Sequence, residues 1–329
     1  MTASPTHDLM WMPLRRPELS DVLAWHPQPV PVLPALCAVL WLAYSWGVLR
    51  LRGRGHRWPV ARWASWTAGL LTVVAVTGTA VNGYAMRLFS FHMVQHMVLS
   101  MLSPLLLLMG APVTLCLRAL PAQGTGSHPR RLLVRCLHSR VLSVLTKPVV
   151  TLPLFISSLY GLYFTPVFDA AMRTWWGHDL MLVHFLAVGL LLFWPIMAID
   201  PSPRATSPVL RMLELFVAMP FHAFFGVIVM TSTTLLVRTF TTTPPGWAIG
   251  QLGDQRLGGG IAWAFSEIPT LLVVAALFVQ WARASEREAR RADRAAARDH
   301  DQLLRDYNAW LAGLSRQHSR RSADPGAAR

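Results

Sequence analysis

Seven stretches, each long enough to cross a bilayer and nearly free of charge, limit what this chain can fold into. They cover residues 32–51, 63–84, 91–117, 148–164, 176–199, 210–237 and 260–281. A helix of about 20 apolar residues spans a ~30 Å hydrocarbon core. Unpaired backbone polar groups are too costly in lipid for anything but helices or closed barrels. The expected fold is an all-α membrane protein, a seven-transmembrane-helix bundle in the bacterial cell membrane. Composition agrees, with 53% hydrophobic and 14% charged residues against roughly 25% charged in a soluble domain.

The arginines set the orientation. Arg50, Arg52, Arg54, Arg57 and Arg62 join the first two stretches, and Arg118, Arg130, Arg131, Arg135, Arg140 and Lys147 join the third and fourth. By the positive-inside rule these loops are cytoplasmic, which puts the N-terminus outside and the C-terminus inside. The same rule accounts for the net charge of +14, so the basicity does not call for nucleic acid. Residues 1–30 read as an extracytoplasmic arm, 31–283 as the membrane domain and 284–329 as a charged cytoplasmic helical tail, disordered after about residue 312. Cys37, Cys116 and Cys136 form no paired motif, so neither a disulfide framework nor a thiolate metal site is expected. No motif for turnover catalysis is present, and the chain is not expected to be an enzyme.

The chemistry concentrates in FSFHMVQHMVLSMLSPLLLLMGAP, residues 89–112. His92 and His96 stand four apart, on one helix face. Met93 and Met97 repeat the spacing on the neighbouring face, where the plain reading is packing. Imidazoles with thioethers close by suit copper, because thioether favours Cu(I) and imidazole accepts either oxidation state. Ionisable groups at membrane depth are costly and usually functional.

With this topology, a rise of 1.5 Å per residue puts His96, His184 and Glu267 at about the same depth, roughly 10 Å below the outer surface. His92 and His178 lie nearer the mouth, and His222 near the midplane. The expected site is therefore an outward-facing cluster of His96, His184 and Glu267 with His92. Glu267 is equally open as a ligand, a partner fixing a histidine tautomer or a protonated acid.

At these residues the sequence resembles the CtaG-type cytochrome c oxidase assembly factors of Gram-positive bacteria. The likeness rests on residues 89–112, on HDLMLVHFLAVGLLLFWPIMAIDPSP from His178, on MPFHAFFGV around His222 and on GDQRLGGGIAWAFSEIP from Gly253. His92, His96, His178, His184, His222, Asp254, Gln255 and Glu267 match motif positions. The resemblance implies a role in making haem-copper oxidase, with copper taken from an extracytoplasmic copper donor and delivered to an oxidase subunit. Two other readings stand beside it: a haem-binding redox protein ligated by two histidines, and a copper permease.

Overall fold

The computed structural model describes residues 10–121, 123–124, 127–203 and 207–323. The described residues are helical apart from loops and an isolated β-bridge between Trp25 and Thr79. The main helices are α1 (Val32–Gly53), α2 (Val60–Thr77), α3 (Phe89–Met97), α4 (Ser103–Met109), α5 (Pro112–Ala119), α6 (Pro148–Tyr163), α7 (Trp175–Met197), α8 (Pro208–Thr231) and α9 (Gln251–Ala323). Among the described residues six helical stretches are long and apolar enough to cross a membrane, with Phe89–Ala119 counting as one. Where the sequence suggests a fourth span, α6 is a shorter apolar helix of 16 residues. Outward-facing Val39, Leu42, Trp46 and Leu49 of α1 are all more than half exposed. An apolar face of that extent needs lipid to cover it, and the chain is a multi-pass membrane protein.

The stretch Phe89–Ala119 forms the centre of the bundle. Of its most apolar 18 residues 67% are buried, against 28% for those of α1. It is not one regular helix, because Pro104 has no N–H to offer the Ser100 carbonyl and its ring clashes with that carbonyl. The chain widens into a π-turn over Val98–Leu102 just before it. The displaced Ser100 oxygen then faces α7 at Gly189, where a Cβ would lie 2.2 Å from it. Glycine is the residue that permits this approach, and it seats α7 against the π-turn. A second break follows at Ala111, which takes up φ 52° before Pro112 restarts the helix.

Three aspartates tie distant segments together in one way. Asp254 of α9 accepts from the amides of Phe89 (2.6 Å) and Ser90 (3.4 Å) and from the Ser90 hydroxyl. Asp200 does this for Val113 and Thr114 at the start of α5, and Asp169 for Arg238 and Thr239. Each carboxylate satisfies N–H groups that a helix start leaves unpaired. Burial of Asp169 works to raise its pKa. The Thr239 hydroxyl and the Arg238 and Thr239 amides outweigh that and hold it below the usual carboxylate range.

The chain divides into two compact units, 1–277 and 278–329. In the first, residues 10–30 of the arm include the short helix Leu19–Val22, and Trp11 stacks on His26 with ring centroids 4.6 Å apart. In the second, the helix continues to Ala323, past the point near residue 312 where composition suggests disorder. Ala, Arg and Gln are good helix formers, and the next proline is Pro325.

Candidate metal centre

Because α3 lies at the centre, it turns His92, Met93, His96 and Met97 inward, and none is more than 3% exposed. Tyr163, the last residue of α6, is fully buried against them. Its hydroxyl lies 2.9 Å from His92 Nε2 and its ring meets His96 edge-on at 5.7 Å. Phe185 of α7 packs on His96 in the same manner at 4.2 Å. Neither ring nitrogen of His96 has a protein hydrogen-bond partner, nor has His92 Nδ1 or His222 Nδ1. Each such buried atom costs about 1–3 kcal/mol if left unpaired.

His222 of α8 approaches from the other side. Its ring centroid lies 5.9 Å from that of His96, and its Nε2 lies 3.1 Å from the Met97 sulfur. Two imidazoles bonded to one metal at roughly 2 Å have centroids up to roughly 6.5 Å apart. His96, His222 and Met97 thus place two imidazoles and a thioether in one neighbourhood, and such groups are of the softness Cu(I) accepts. Pro220 lies inside α8, where it cannot donate to the backbone. Beside this proline is a cavity of about 240 Å³ lined in part by Met101, Met219, His222, Ser266 and Glu267.

The expected trio of His96, His184 and Glu267 is not assembled. Among the described residues no three His, Cys, Asp or Glu side chains stand close enough together to hold a metal ion. His184 is only half-buried and its Nε2 lies 2.6 Å from Ser158 Oγ of α6. Glu267 lines the cavity on the His222 side. Equal depth does not set which way each helix is turned, and α6 supplies His184 with a partner of its own. His178 is buried near the start of α7, and its Nε2 has no protein partner. Asp254 and Gln255 serve the framework: Gln255 accepts from Leu236 N at 2.8 Å and donates to the Thr234 carbonyl at 3.0 Å.

Residues 42–284 match the profile of the cytochrome c oxidase caa3 assembly factors. The chain belongs to this family. Uncharacterized proteins of Mycobacterium bovis and Mycobacterium tuberculosis are each 45% identical to it over 290 residues, and one of Mycobacterium leprae is 43% identical. The match covers 87% of this chain and 44% of each relative, so the chain spans less than half their length. No solved structure matches it.

The matched region holds His92, His96, His178, His184 and His222. Sequence reasoning did not find Tyr163, and it left His222 apart from the others at the midplane. The contact between Met97 and His222 joins residues 125 apart, and one sequence carries no signal of such a pairing.

Proposed function

We propose that this protein is a membrane assembly factor for cytochrome c oxidase that holds Cu(I) in the His96–His222–Met97 centre and passes it to an oxidase subunit. The observation that carries this is His96, 3% exposed and with both ring nitrogens unpartnered, next to His222 and the Met97 sulfur. Copper here is cargo. A site of two imidazoles and one thioether leaves the ion incompletely coordinated, so an acceptor offering more ligands draws it away. In this reading α6 is a further span, making seven. The arginine-rich loops face the cytoplasm of a bacterial cell membrane, and the start of α3 opens to the outside, toward the oxidase subunit and a copper donor.

Haem fits the geometry less well. The edges of Phe185 and Tyr163 lie against His96, on flanks where a porphyrin plane would have to slide between the two histidines.

The test is a Cu(I) titration of the purified full chain against a chromogenic chelator. His222→Gln with Met97→Leu is expected to lose one copper equivalent. Met97→Leu alone is expected to weaken binding at that centre by at least the roughly 10–100-fold that an outer-shell partner is worth. Cells carrying the double variant should assemble less active oxidase. Unchanged copper binding and unchanged oxidase in the double variant would rule the centre out.

A further inference from the structure

A second set of soft ligands lies where the N-terminal arm meets the bundle. Met10, Met86 and His178, together with Gln28 and Asp179, line a cavity of about 10 Å³, the volume of a single small ion or water. The three ligand-type side chains come from separate parts of the chain: the arm, the loop before α3 and the first turn of α7. Met10 is 7%, Met86 6% and His178 2% exposed, and His178 Nε2 is buried with no protein partner.

Gln28, at the far end of the same arm, braces the backbone beside Met10 and reaches the bundle at Met86. Its carboxamide oxygen accepts from Trp11 N at 2.8 Å, its nitrogen donates to the Trp11 carbonyl at 3.1 Å, and that nitrogen also lies 3.9 Å from the Met86 sulfur. One side chain thus holds the backbone next to Met10 and touches Met86. Packing alone accounts for neither the orphaned imidazole nitrogen nor a clamp tying both thioether-bearing segments to one point.

We infer that Met10, Met86 and His178 form a second Cu(I) site at the arm end of the bundle, separate from the buried centre. Two thioethers and an imidazole select a soft monovalent ion over zinc or magnesium. The site rests on the copper-handling reading above and adds a loading position to it. Met86 stands three residues before α3, the helix that carries His92 and His96. An ion bound there is held at the end of the bundle where α3 begins, beside the element that leads inward.

The experiment counts Cu(I) on the purified full chain by competition with a chromogenic chelator. It compares wild type, Met10→Leu with Met86→Leu, His178→Gln alone, His222→Gln with Met97→Leu, and the control Met12→Leu. Leucine for methionine keeps volume and apolarity, and circular dichroism with gel filtration checks that each variant is folded. Two equivalents are expected in wild type and in the control. One is expected in the Met10/Met86 variant, in His178→Gln and in the His222/Met97 variant. X-ray absorption should show fewer copper–sulfur scatterers per ion once Met10 and Met86 are gone. A single equivalent that survives Met10/Met86 replacement and disappears with His222/Met97 overturns the second site and leaves the buried centre standing. The opposite pattern overturns the buried centre and keeps the second site. No binding at all overturns both.

Discussion

Asp254 shows how much one side chain can position. Its carboxylate holds the first two amides of α3 from a helix more than 160 residues away in sequence, and so sets where His92 and His96 sit. Hydrogen bonds to a charged group contribute about 1.5–3 kcal/mol. Asp254→Asn turns an amide donor toward those N–H groups and is expected to lower stability by about 1–3 kcal/mol. A lower apparent melting temperature in detergent, with partial recovery in Asp254→Glu, is the outcome to look for; an unchanged melting curve would remove this role. The sequence marks Asp254 as a residue of interest, yet its type suggests a ligand as readily as a tie. Only its contacts tell these apart.

At the scale of the element, the third span matters more for its irregularity than for its length. Pro104 forces the π-turn, the π-turn pushes out the Ser100 carbonyl, and Gly189 gives it room. Ser100 Oγ in turn donates at 2.7 Å to the carbonyl of His96, whose imidazole belongs to the proposed centre. π-Turns of this kind often mark functional sites in helices. Gly189→Ala places a methyl against that oxygen, and overpacking of this sort costs about 1–3 kcal/mol. The expected result is a lower melting temperature together with weaker Cu(I) binding at the buried centre, since α7 also carries Phe185 against His96. Gly161→Ala, where a Cβ meets nothing within 4 Å, is the matched control and should change neither.

For the whole molecule, every proposed ligand lies within the first compact unit, residues 1–277. A chain ending at residue 284 is therefore expected to keep its Cu(I) stoichiometry and elute as a folded species; loss of an equivalent would bring the tail into metal binding. Sequence by itself determined that this is a helical membrane protein, because uncharged apolar runs of bilayer length have few other stable states. It also singled out α3 as the element with the densest set of candidate ligands, because polar groups at membrane depth are rare and stand out. Tertiary structure alone decided which histidines meet. Helix rotation and tilt come from packing, here from a proline-driven π-turn and a glycine contact. Packing sets His96 beside His222 and His222 against Met97 and leaves His184 to Ser158, while the arm brings Met10 to Met86 and His178. Such pairings join residues distant in sequence, 125 positions for Met97 and His222, which neither periodicity nor depth along a single span encodes.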